Sequence, residues 1–157
     1  MADPLKVFII AGEPSGDKLG GSLMRGLKQL TKDQVVFSGV GGEMMQSAGL
    51  KSLFPMSDLT IVGLFEVIPS IPKIMRRINQ TAKAAVAMQP DVLITIDSPD
   101  FCLRVVKKLR QHYPDQPVVH YVAPSVWAWR PERAAKMAKS VDHVLALLPF
   151  EPPYMQA

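Results

Sequence analysis

Three stretches of the chain are apolar without alternation: Lys6–Ala11, Val92–Ile96 and Val118–Val122. Val35–Phe37 and His143–Leu147 repeat the pattern more briefly. Short continuous runs of this kind suit parallel strands covered on both faces. Between them the period changes. Leu19, Leu23, Leu27 and Leu30 recur at helical spacing after a glycine-containing turn. Ile71, Ile74, Met75, Ile78, Ala82 and Val86 form a second stripe, with Lys73, Arg76, Arg77, Gln80 and Lys83 opposite, so this helix is amphipathic with a basic face. Phe101, Val105 and Leu109 form a third, opposed by Arg104, Lys107 and Lys108. A fourth helix is predicted from Pro131, a favourable first-turn residue, to about Lys139.

The predicted order is strand, helix, strand, helices, strand, helix, strand, helix, strand. That order specifies an α/β fold: a doubly wound, Rossmann-like parallel sheet with right-handed crossovers. Ligands of such sheets sit beyond the carboxyl ends of the strands. The loops at 12–17, 39–43, 97–100 and 123–130 are therefore the places to look for chemistry. Residues 1–148 form one such domain, and 149–157, with Pro149, Pro152 and Pro153, begin a linker or a further element.

Composition narrows the classes. The chain has 157 residues, 48% hydrophobic and 20% charged, which suits one globular domain with a real core and excludes wholesale disorder. One cysteine, Cys102, allows neither an intrachain disulfide nor a cysteine-based zinc site, and the three histidines lack metal-ligand spacing. A reducing, cytoplasmic setting fits. No apolar run approaches the ~18 residues of a membrane span. The net charge of +4 permits phosphate-bearing or anionic-membrane partners. Nucleic acid is not an expected partner, because the basic residues lie on separate helices without interleaved aromatics. A dehydrogenase is equally disfavoured, since the dinucleotide fingerprint is missing.

Each loop has a structural and a functional reading. In Gly12-Glu13-Pro14-Ser15-Gly16-Asp17, backbone N–H groups can receive a polar ligand, or the loop is a tight turn capped by Ser15 or Asp17. Glu13 fits the structural reading poorly, and its carboxylate suits sugar hydroxyls. Ser38-Gly39-Val40-Gly41-Gly42-Glu43 is either a close backbone approach to a ligand, with Gly41 and Gly42 as contacts, or a flexible turn. In Asp97-Ser98-Pro99-Asp100, Ser98 fits a helix N-cap, Pro99 the first helical position and Asp100 the first turn. Asp97 is left over, an acid at a strand's carboxyl end and a candidate general base. In Ser125-Val126-Trp127-Ala128-Trp129-Arg130, the two indoles either plug the core or wall a crevice for sugar or acyl carbon, with Arg130 near a phosphate. The segment 59–75 is an apolar stretch interrupted by Pro69 and Pro72. It reads either as a buried helix pair or as a membrane-interfacial patch of Ile61, Val62, Leu64, Phe65, Val67 and Ile68 beside Lys73, Arg76 and Arg77.

Taken in order, Ala11-Gly12-Glu13-Pro14-Ser15-Gly16-Asp17, Gly39-Val40-Gly41-Gly42, Ile96-Asp97-Ser98-Pro99-Asp100-Phe101, the segment from His120 to Arg130 and Leu148-Pro149-Phe150-Glu151 resemble the lipid-A-disaccharide synthase family. The Pro-Ser-Val-Trp-Ala-Trp-Arg segment is the most specific part. The resemblance implies a GT-B glycosyltransferase of lipid A biosynthesis, inverting and without metal or other cofactor. Such an enzyme joins UDP-2,3-diacylglucosamine to 2,3-diacylglucosamine 1-phosphate at the cytoplasmic face of the inner membrane. It carries Glu13, Ser15, Asp97, Trp127 and Arg130 over as functional positions, with Asp97 as catalytic base. It also gives the patch at 59–77 a reason to exist, since both substrates are acylated. GT-B enzymes have two Rossmann-like domains, the second supplying most nucleotide-sugar contacts. On this resemblance the carboxyl-terminal domain is expected elsewhere than in these residues. The chain by itself is expected to fold poorly or to be inactive, and to expose apolar surface meant for that domain.

Overall fold

The computed structural model describes residues 3–59, 64–121 and 141–145, with the backbone alone for 64–70. Among the described residues five parallel strands form the sheet: β1 (Leu5–Ala11), β2 (Val35–Val40), β3 (Val92–Ile96), β4 (Val118–Tyr121) and β5 (His143–Leu145). Their spatial order is β2-β1-β3-β4-β5. The helices are α1 (Pro14–Leu30), α2 (Glu43–Ser47), α3 (Leu64–Met88) and α4 (Pro99–Arg110), with a 3-10 turn at Met56–Leu59.

The continuous apolar runs are explained by burial on both sheet faces. Phe8, Ile10, Leu93 and Val118 pack under α3 and α4, against Ile78, Ala82, Ala85, Val105 and Leu109. Val7, Ile9, Ile94 and Ile96 face the other way, against Met24 of α1 and Met45 of α2. The result is the expected doubly wound α/β sandwich. After β2 the chain crosses back over β1 to lay down β3, so the strand order reverses between β1 and β3. That reversal opens a crevice at the carboxyl ends of those two strands.

Several boundaries differ from expectation. β2 continues past Phe37 because Ser38, Gly39 and Val40 stay in register with Phe8, Ile9 and Ile10. Gly39 has a φ of +139°, and a Cβ there would lie 1.8 Å from the Ile9 carbonyl oxygen, so the strand needs glycine at this register position. The glycine turn therefore begins only at Gly41. The short helix α2 carries no periodic stripe long enough to read. Pro69 and Pro72 do not break α3, which runs through both. Each proline removes one intrahelical bond, while burial of Ile78, Ala82 and Ala85 on the sheet holds the later turns. Leu30, assigned to the buried stripe of α1, is 83% exposed because the helix has already left the sheet. The predicted helix from Pro131 to Lys139 lies outside the described residues.

Candidate functional site

The loops after β1 and β3 meet across the crevice. Glu13 is the N-cap residue of α1, in extended conformation, and Pro14 is the first helical residue. Glu13 and Ser15 are exposed, whereas Gly12, Gly16 and Asp17 are buried. Neither Ser15 nor Asp17 caps α1, because both lie inside its first turn. Gly12 is packed directly against Ser98; a Cβ at Gly12 would stand 2.6 Å from Ser98 Oγ.

At the end of β3 the backbone turns sharply. Asp97 and Ser98 have φ of +50° and +41°, two consecutive non-glycine residues in the left-handed region. The Asp97 N–H donates to the Tyr121 carbonyl at 3.0 Å, which pins the turn to β4. Ser98 occupies the N-cap position of α4 but makes no capping bond with its hydroxyl, contrary to the sequence reading. In the left-handed conformation its side chain is against Gly12 instead. Asp100 lies exposed in the first turn of α4.

Asp97 is half-buried and hydrogen-bonded to Glu13. Although Glu13 is exposed as a residue, partial desolvation of its carboxyl holds it above its ordinary range, and the negative charge of Asp97 and the hydrogen bond between the two add to this. The site is thus two neighbouring carboxyl groups at the crevice, chemistry that suits acceptance of a proton from a bound hydroxyl. Beneath it lies Cys102, fully buried; burial raises its thiol and the charge of Asp97 raises it further, so it stays protonated and unreactive. Among the described residues no three of His, Cys, Asp and Glu converge as a metal-ligand set.

The second glycine loop is anchored by Asp17. Its Oδ1 accepts the Gly42 and Met45 N–H groups, each at 2.9 Å, and its Oδ2 accepts the Met44 N–H at 3.0 Å. The Gly41 N–H donates to Ser52 Oγ at 3.2 Å, and that hydroxyl donates to the Phe54 carbonyl at 2.7 Å. The amides of Gly41 and Gly42 are therefore engaged within the protein. Asp17 caps the helix after its own, α2, and positions the loop rather than opening into the crevice. No periodicity or motif marks Ser52 in the sequence.

A groove of about 670 Å³ leads away from the acid pair between α3 and α4. Glu13, Ser98 and Asp100 stand at its mouth, and Leu59, Ile71, Ile74, Met75 and Phe101 line it, with Arg104 on the α4 side. The basic face of α3 is partly spoken for. Asp58 takes an ion pair from Lys73 at 3.0 Å and two hydrogen bonds from Arg77, at 3.0 and 2.5 Å. Arg77 also stacks over the Phe54 ring, 4.6 Å from its centroid. Arg76 is exposed. The Lys73 bond, and the Arg77 contacts behind it, hold the Asp58 carboxyl below its ordinary value.

Leu64, Phe65, Val67 and Ile68 lie on the first turns of α3, of which the backbone is described. Ile61, Val62, Ser125, Trp127, Trp129 and Arg130 lie outside the described residues. Among the described residues no helix is long and apolar enough to cross a membrane.

A family model described as lipid-A-disaccharide synthetase matches residues 7–157. A lipid-A-disaccharide synthase of Ruegeria pomeroyi is 64% identical over 97% of this chain and 37% of its own length. Proteins of the same name from Rhodospirillum centenum and Nitrobacter hamburgensis are each 55% identical, over 98% and 94% of this chain. The chain thus spans somewhat over a third of the length of these curated relatives. The match covers both strand ends that build the crevice and the acid pair between them, and on that extent of likeness the chain belongs to the lipid-A-disaccharide synthase family.

Proposed function

We propose that this chain is the acceptor-side part of an inverting glycosyltransferase. The enzyme transfers 2,3-diacylglucosamine from UDP-2,3-diacylglucosamine to 2,3-diacylglucosamine 1-phosphate. The acceptor hydroxyl oxygen attacks the anomeric carbon of the donor, its proton passes to Asp97, and UDP departs with the electrons of the broken bond. The observation that carries this reading is the half-buried Asp97 at the strand-order reversal, hydrogen-bonded to Glu13. A base at a crevice is what the attacking alcohol needs, because it is otherwise a weak nucleophile. Glu13, Ser15 and Asp100, in the segments that follow β1 and β3, are assigned to the sugar hydroxyls in this reading. In this reading Trp127, Trp129, Ser125 and Arg130 complete the substrate wall.

Residues 1–148 form the acceptor-side domain, and 149–157 lead towards a second domain that holds most of the nucleotide sugar. The relatives' greater length supports this division. The enzyme works as a peripheral protein on the anionic inner face of the inner membrane, with the start of α3 and Arg76 turned to the lipid. The test is product analysis with the full-length enzyme and both acylated substrates. The expected outcome is stoichiometric UDP and a β-linked disaccharide 1-phosphate, with little turnover of the deacylated acceptor. Equal turnover of acylated and deacylated acceptors contradicts the assignment.

A further inference from the structure

The apolar groove between α3 and α4 has no occupant in the mechanism above. It is continuous with a second hollow of about 830 Å³ further along the same seam, the two sharing Met75, Ile78, Asp100 and Arg104. α4, with 12 residues, makes this trough about 18 Å long. Each hollow by itself falls in the size range of small-molecule sites. Ile71 and Met75 are 50% and 38% exposed, so apolar surface stands open to water along its length. One end reaches Glu13, the partner of Asp97. Arg104 is exposed beside it and makes no ion pair among the described residues.

A trough that is apolar at its Glu13 end, with the carboxylates of Glu13 and Asp100 and the cation of Arg104 on its wall and Lys107, Lys108 and Arg110 further along, is complementary to an amphiphile with an alkyl chain, an anionic group and hydroxyls. We infer that this trough holds one acyl chain of the acceptor sugar phosphate, with Arg104 facing the phosphate and the reacting hydroxyl delivered to the Glu13 end. The inference rests on the glycosyltransferase reading and adds to it where the chain lies. Burial of methylenes along Ile71, Ile74 and Met75 supplies affinity, and the position of Arg104 fixes which way the sugar enters.

Alkyl phosphates, from octyl to dodecyl and below their micelle concentrations, are the probe. Their binding to the full-length enzyme is measured by titration calorimetry without turnover. The dissociation constant should fall about two- to fourfold per added CH₂. Met75→Asp should weaken dodecyl phosphate about tenfold or more and flatten that slope. Arg104→Gln should weaken every alkyl phosphate about tenfold and leave the slope intact. Absence of saturable binding overturns the inference, as does a slope that Met75→Asp leaves unchanged. So does loss of binding to phosphatidylglycerol vesicles by Met75→Asp with alkyl phosphate binding unaltered, which marks a membrane-facing surface instead. A wild type that binds dodecyl phosphate as described but releases no UDP contradicts the glycosyltransferase reading and upholds the trough.

Discussion

Glu13 and Asp97 each gain their meaning from the other. A lone exposed glutamate at a helix start is unremarkable, and so is a lone aspartate at a strand end. Side by side they change each other's surroundings: partial desolvation raises the Glu13 carboxyl, and the neighbouring Asp97 raises it further. The raised carboxyl contributes a stability penalty that is absent below its ordinary value of 4.5 and grows as pH rises through the raised one. Glu13→Gln should therefore raise the melting temperature at neutral pH, by at most about 3 °C because water screens the pair. The gain should vanish below pH 4.5. The same variant should move the acid limb of the pH–rate profile to lower pH, since that limb belongs to the pair. An unmoved limb removes Glu13 from the proton's path. Asp17 is the structural counterpart. Its buried carboxylate takes three backbone N–H groups at the start of α2, and Asp17→Ala should cost about 2 kcal/mol in denaturant unfolding. Neither pairing was legible in the sequence. Asp17 looked like a cap for its own helix, and nothing in the spacing of Glu13 and Asp97 says that β1 and β3 are neighbours.

The elements were more legible than their ends. Strands buried on both faces must be apolar at every position, and that leaves a mark in the sequence which no surface element imitates. β2 is longer than its apolar run, because Ser38 and Gly39 look like loop residues yet their register with β1 keeps them in the sheet. Gly39→Ala should destabilise the fold by about 3 kcal/mol or more, the combined cost of a strained φ and a methyl driven into the Ile9 carbonyl. α3 shows the opposite failure. Its prolines argue for a break, and packing overrides them. Asp58 ties the middle of this helix to the preceding turn through Lys73 and Arg77. Its lowered carboxyl contributes stability that is present above the ordinary value of 3.8 and lost as pH falls through the lower folded value. Asp58→Asn should cost no more than about 1 kcal/mol at neutral pH, a gap from wild type that closes in acid.

For the whole molecule, topology turns a common sheet into a site. Reversal of strand order places the loops of β1 and β3 face to face, and the close approach of Gly12 to Ser98 brings Glu13 towards Asp97. That the crevice would lie beyond the strand ends followed from the predicted element order. Which acids would meet there did not, because it depends on the side of β1 on which β3 is laid. In the proposed reaction Asp97 takes the proton of the attacking hydroxyl. The most direct test compares the full-length enzyme with its Asp97→Asn variant, measuring UDP release with both acylated substrates at saturating concentrations. Turnover should fall by about 10²-fold or more with the acceptor still bound and the melting temperature little changed. Turnover near that of the wild type contradicts the claim.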